Sequence, residues 1–196
     1  MKKLLILISF LVVAWQLLFK MTTELGPGVK APLPPFQGPP SGQAPINKDG
    51  YLITELASFS INAKVLSKEF YFLGREADLS PVDLALGWGR MSDESVLSQI
   101  DISQSGRWYR WQSKNFAIPR REIETSSANM HMIPADNEIK LALSRVKEGQ
   151  IIQLTGSLVK VEANDGWRWK SSLTREDTGN GACELIYVKH FSIVDI

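Results

Sequence analysis

Cysteine is nearly absent from this chain of 196 residues, in which Cys183 stands alone. An intramolecular disulfide is therefore impossible, and so is a zinc site that needs two or more thiolates. Residues 51–196 are enough to build a core without such staples, so the lone cysteine argues neither for nor against export. A basic surplus is missing as well. Five lysines and two acidic residues lie in 1–50, which leaves 17 basic and 19 acidic residues in 51–196. Proteins that grip nucleic acid neutralise phosphates with lysine and arginine, so this balance disfavours a nucleic-acid partner. The phosphate-cradling GxxxxGK[ST], the metalloprotease HExxH and the nucleophile-elbow GxSxG are all absent, which removes several common enzyme classes.

A long hydrophobic run without a charge occurs once, at Leu4–Phe19. As a helix it spans about 24 Å at ~1.5 Å per residue, somewhat less than a roughly 30 Å hydrocarbon core. Lys3 and Lys20 can snorkel, and Trp15 suits an interface. Lys-Met-Thr-Thr-Glu-Leu follows Phe19 and lacks the small residues of a signal-peptidase site. The reading is a retained anchor over 1–21, with a cleaved signal as the alternative; all-round hydrophobicity argues against a buried helix of the fold. Lys2 and Lys3 ahead of the run favour an internal N-terminus. The expected location is a single-pass inner-membrane protein with its domain on the periplasmic side, or a secreted one after cleavage.

Seven of the ten prolines fall in 22–50, interleaved with glycine. Proline removes donors and glycine raises the entropy of ordering, so the segment is expected to be a disordered tether. From Tyr51 the pattern changes to short apolar stretches. Tyr51–Leu56, Phe59–Leu66, Ile100–Ser103, Arg107–Gln112, Gln150–Ala163, Trp167–Leu173 and Cys183–Ile196 read as strands, with a bend at Gly156. Ser80-Pro81 predicts a helix running to Leu86, and Ser92 a second one to Gln99. The strongest helix is Asp136–Glu148, where Ile139, Ala142, Leu143 and Val146 share one face before Gly149. The expected class for 51–196 is α+β, with a mainly antiparallel curved sheet and an OB-like barrel portion.

Four segments stand out together: GWGRMSD (87–93), SQSGRWYRW (103–111), SSANMHMIPAD (126–136) and SSLTREDTGNGACE (171–184). Through them, residues 51–190 resemble a family of bacterial envelope proteins with no assigned function. The resemblance implies a shared fold and an envelope location. It implies no activity, cofactor or catalytic residue.

Three constellations carry chemistry. Met130, His131 and Met132 are copper(I)-ligand types, although strand alternation sets His131 opposite the two methionines, whose ordinary role is core filling. Cys183 with His131 would make a thiolate–imidazole pair, whereas an uninterrupted strand places His190 on the face opposite Cys183. Aromatic and basic residues interleave at Arg107–Trp111 and Trp167–Lys170, either as a stacking platform or as indoles packed beneath a charged face. The hydroxyl-rich 171–181 loop reads either as a ligand-binding rim or as a solvated connection whose Ser, Thr, Asp and Gly serve caps and turns. The reading that results is a non-catalytic binding or assembly module of the envelope. Arg107, Arg110, Ser172, Arg175 and Asp177 are its candidate ligand contacts, and no cofactor is implied. The partner is expected to be an envelope protein or a small molecule. The alternatives are a Cys183/His131 enzyme and a copper(I)-handling protein.

Overall fold

The computed structural model describes residues 23–174 and 183–195. The expected anchor at 1–21 lies outside them, and no helix among the described residues is long and apolar enough to cross a membrane. Among the described residues, ten strands and four short α-helices make an α+β structure dominated by antiparallel pairing.

β1 (Phe36–Gly38) and β2 (Ile46–Lys48) pair with β3 (Tyr51–Phe70), which continues through α1 (Arg75–Leu79) into β4 (Val82–Gly87). A 3-10 turn (Gly89–Ser92) and α2 (Glu94–Leu97) lead to the separate hairpin of β5 (Asp101–Ser105) and β6 (Trp108–Gln112). The chain then passes through α3 (Arg120–Thr125), β7 (Ser127–Pro134), α4 (Asn137–Arg145) and β8 (Ile151–Ala163). It finishes with β9 (Arg168–Lys170) and β10 (Glu184–Val194).

Pairings run from β3 to β4, β7, β10 and β8, and β8 pairs back to β3, so five strands close a ring. Only β7 and β10 run parallel among the described pairs. β3 serves both ends of the ring because it is long and bent: residues 51–64 face β8, residues 64–70 face β4, and the register shifts at Glu55/Ala57 and Val65/Ser67. Such bulges sharpen twist and let a sheet curl on itself. Inside the ring, Phe59, Ile61, Leu84, Leu86, Met130, Met132, Leu154 and Ile186 form the main core, closed at one end by Ile139 and Leu143 of α4. A second cluster, with Ile53, Leu79, Ile133, Val161 and Leu185, lies on the opposite face of the same strands.

Several expectations change. The two strands read at 51–56 and 59–66 are one, since a bulge needs no break in the chain. The helix expected at 80–86 is β4, and Ser80 is instead the C-cap of α1. A local Ser-Pro cap signal lost to tertiary context: every residue of Val82–Gly87 is buried between β3 and β7, which no one-sided helix would allow. Ser92 does not cap the next helix. Asp93 does, accepting from the Ser95 amide at 2.9 Å. The helix from Asp136 forms with Asp136 as cap but stops at Arg145. Gly156 does not interrupt β8, and the bulge lies opposite it, between Val188 and His190 of β10; the glycine serves a close approach instead, since a Cβ there would sit 2.1 Å from the Tyr187 carbonyl oxygen.

The segment expected to be a disordered tether is ordered over 23–50. Ala31 is buried, the Thr23 amide donates to the Glu148 carbonyl at 2.9 Å, and the Lys30 and Ala31 amides both donate to Ser92 Oγ at 3.0 Å. Proline is excluded from sheet interiors but tolerated beside an edge. Here Pro34, Pro35, Pro39, Pro40 and Pro45 flank two three-residue edge strands rather than interrupt them.

Candidate functional site

β4 and β7 are neighbours, and Asp83 sits directly across from His131 in their register. Even-numbered residues of both strands point into the barrel, so Asp83, Asn129 and His131 point outward. Three connections close over that outer face: residues 71–81 after β3, the tip of the β5–β6 hairpin, and the stretch from β9 through Ser172. The face is thereby buried. Asp83 is 0% exposed and His131 is 4% exposed.

Arg107 is the centrepiece. It occupies the hairpin turn with φ of 70°, the left-handed region that non-glycine residues seldom adopt. Its backbone amide donates to Tyr71 Oη at 2.8 Å. Nη1 donates to Asp83 Oδ1 at 2.7 Å and Nη2 to the Ser80 carbonyl at 2.9 Å. The guanidinium lies 3.8 Å from the Tyr71 ring centroid and 5.4 Å from that of Trp169. On the far side of Asp83, His131 Nδ1 approaches Oδ2 to 2.8 Å, a close contact without the alignment of a hydrogen bond, and the imidazole tilts against Trp169 at 4.9 Å. Asp83 thus stands between a guanidinium and an imidazole.

The polar chain extends along β7. Asn129 Nδ2 donates to the Arg107 carbonyl at 3.1 Å, while Asn129 Oδ1 accepts from Gln104 Nε2 at 2.6 Å. Tyr109 Oη lies 3.2 Å from Ser127 Oγ. Burial pushes the Tyr109 hydroxyl up to about 12, against a smaller opposing effect of that hydrogen bond. Burial also raises the Tyr71 hydroxyl above its ordinary value, with the Arg107 amide pulling the other way. Burying an ion costs several kcal/mol even after relaxation, and the paired geometry around Asp83 offsets that cost without turning it into much net stability.

The structure gathers some predicted residues and separates others. Arg107, His131 and Cys183 share the outer face. Cys183 is half-buried, its sulfur 3.8 Å from Asn129 Nδ2 and 4.0 Å from the Arg107 carbonyl. In the β7–β10 register Leu185 lies beside His131. Cys183 is thus two positions further along, about 7 Å away, with Asn129 at its own level. A bulge at Lys189 corrects the reading of His190: the extra residue returns it to the outward face, but about 20 Å along the strand from Cys183.

Met130 and Met132 lie fully buried inside the barrel, whereas His131 points out. The three copper-ligand types therefore do not converge. No cluster of three His, Cys, Asp or Glu side chains suited to a metal occurs among the described residues. Arg107 is engaged internally, while Arg110 is exposed on the outer face of the hairpin. Ser172 is buried, and its hydroxyl donates to the Thr174 carbonyl at 3.1 Å. Arg175 and Asp177 lie outside the described residues. The interleaved aromatics divide. Trp167 and Trp169 pack on the second cluster with Arg168 and Lys170 in solvent, as the packed reading expects. In the other run Trp108 is exposed and Arg107 is half-buried with its guanidinium turned onto Asp83, the reverse of that reading.

Sequence reasoning missed Asp83, Tyr71, Asn129 and Gln104. Asp83 did leave a signal, being the one charged side chain in the apolar run Val82–Gly87. Comparison of the chain with protein-family models, with curated proteins and with solved structures found no match.

Proposed function

We propose that this chain is a membrane-anchored, extracytoplasmic binding or assembly module of the cell envelope, non-catalytic and built on an OB-type barrel. The barrel reading is supported by ring order: the strands follow one another as first, second, third, fifth and fourth, with α4 between the third and fourth. Barrels of this type use the face of their second and third strands and the loops around it for binding. Fold likeness alone assigns no function, so the reading rests on a site.

That site is the hairpin β5–β6, and one observation carries it. A two-stranded hairpin is marginal by itself, yet this one is locked to the barrel through Arg107, Asn129 and Gln104 while its whole outer face stays exposed. On that face Trp108 stands across from Ser105, Arg110 across from Ser103 and Gln112 across from Asp101. Tryptophan and arginine are the residue types that dominate protein interfaces. A surface held rigid before contact loses less entropy on binding. The acidic balance of 51–196 favours a protein or small polar partner over nucleic acid.

Cross-linking in cells with an amine-reactive reagent tests this. Wild type should give a discrete higher-mass product that Trp108→Ala/Arg110→Glu loses while remaining folded, and that Arg168→Glu on β9 keeps. Equal products from all three proteins would end the proposal.

The second reading, a Cys183/His131 enzyme, is favoured by one feature: Asp83 Oδ2 lies 2.8 Å from His131 Nδ1, close enough to orient the imidazole if the two groups turn into hydrogen-bond alignment. Retention of the cellular phenotype in folded Cys183→Ala and His131→Ala proteins would eliminate it.

A further inference from the structure

We infer that this domain lies directly on the bilayer, with the Phe70–Leu73 edge and Leu141 of α4 in the lipid interface, instead of hanging from a spacer. The inference rests on the proposed anchor at 1–21 and adds to it an orientation and a second contact.

The first ground is the length of chain outside the described residues and the point where it meets them. The described residues begin at Thr23, whose amide donates to the Glu148 carbonyl at 2.9 Å. Gly149, at φ of 85°, leaves the space that Thr23 fills, for a Cβ there would lie 1.9 Å from the Thr23 carbonyl oxygen. The chain stays fastened beyond it: the Gly28 amide donates to Asp93 Oδ1 at 2.9 Å, and the Lys30 and Ala31 amides to Ser92. Between Phe19, the last residue of the apolar run, and Thr23 only Lys20, Met21 and Thr22 intervene. Four Cα steps reach at most about 14 Å in any conformation. If the run enters the bilayer, the surface around Glu148 and Gly149 is held at the headgroups.

The second ground is what continues from that surface. Glu148 Oε1 accepts from the Lys68 amide at 3.4 Å, and Lys68 Nζ reaches the Ser144 carbonyl at 3.2 Å and lies 4.7 Å over the Phe70 ring. Beyond Lys68 opens a cleft of about 500 Å³ lined by Phe70, Tyr71, Phe72, Lys140 and Ser144. Phe70 and Phe72 stack at 6.2 Å. Phe72 is 83% exposed and Leu73 92% exposed, more than any other large apolar side chain among the described residues, and Leu141 of α4 is exposed too. A contiguous apolar patch on a folded surface marks a contact. Aromatic and aliphatic side chains on a loop tip suit the headgroup–acyl boundary.

Charge decides what kind of surface this is. Residues 68–78 and 138–148 together hold five basic and five acidic side chains. No net attraction to anionic headgroups results, so the contact is apolar and independent of salt.

The full chain reconstituted into phosphatidylcholine vesicles, with a photoreactive amino acid in place of Leu73, tests the inference. Flotation reports the anchor, and the mass of the photoadduct reports what touches residue 73. The expected result is flotation with a lipid-mass adduct at 73, its yield unchanged between low and high salt, and at least several-fold above that of a probe replacing Arg110. Flotation with no lipid adduct at 73 overturns the inference while leaving the anchor standing. An adduct of twice the chain mass overturns it in favour of a second copy on this edge. Failure to float overturns the anchor itself and the inference with it.

Discussion

Arg107 shows how much one side chain can organise. Its left-handed backbone costs on the order of 1 kcal/mol or more, and its guanidinium neutralises a carboxylate that has no access to water. Arg107→Ala removes the guanidinium that pairs with the buried Asp83 carboxylate. The expected destabilisation is about 3–5 kcal/mol, measurable by urea unfolding, and adding Asp83→Asn should recover much of it. A loss below about 1 kcal/mol in the single variant would mean that water reaches Asp83. Tyr109 makes a pH-dependent case. Burial pushes its hydroxyl from the ordinary tyrosine range near 10 up to about 12. A raised folded value means that the stability is fully present below about pH 10 and is lost as pH rises towards 12. Tyr109→Phe should flatten alkaline unfolding in that window, followed by circular dichroism, while lowering neutral stability by about 1 kcal/mol through the hydrogen bond to Ser127. At this scale the sequence marked Arg107, His131 and Cys183 by residue type. It did not mark Asn129, because an asparagine in a strand becomes notable only once its neighbours are known.

Elements behave differently. The 87–94 stretch reads in sequence as a glycine turn and a helix start, and folds as a cradle for the N-terminal segment. Ser92 Oγ accepts two backbone amides and donates to the Gly89 carbonyl at 2.7 Å, Asp93 receives the Gly28 amide, and the Gly89 amide donates to the Ala31 carbonyl at 2.8 Å. Ser92→Ala would strand two amides, one of them buried, at a cost of about 1–3 kcal/mol. The expected outcome is faster hydrogen exchange over 25–31 with the barrel strands still protected; uniform acceleration across the domain would show that the segment and the barrel unfold as one unit. The helix from Asp136 and the hairpin at 101–112 were legible because cap, turn and alternation agreed. β4 was not, since six buried residues have no periodicity to read and the nearest local signal was a helix cap. The proline-rich segment misled for a related reason. Composition reports that a stretch builds no core of its own, and it is silent about a ready edge of β3 on which short strands can add.

The molecule as a whole depends on closure. β8 crosses β10 where Gly156 pairs with Val188, and the Tyr187 carbonyl stands where a side chain would be. Gly156→Ala must push those backbones apart, at a cost of about 1–3 kcal/mol or more. The expected outcome is a lower Tm with exchange accelerated first along the β8–β10 seam, whereas an unchanged Tm would show that the seam yields freely. Closure also sets the site, because residues 71–81, the hairpin tip and residues 168–172 meet over β4 and β7 only when the ring is shut. By itself the sequence determined that 51–66, 150–163 and 184–194 extend, where α4 begins, that Met130 and Met132 turn away from His131, and that no disulfide staples the fold. Each follows from contacts within a few residues, or from residue counts, so local pattern is enough. Tertiary structure alone decided that 82–87 is a strand, that the prolines lie against an edge, and that Asp83, Arg107 and His131 meet. Those outcomes depend on partners tens of residues away, and burial by such partners outweighs the local preferences that a sequence displays.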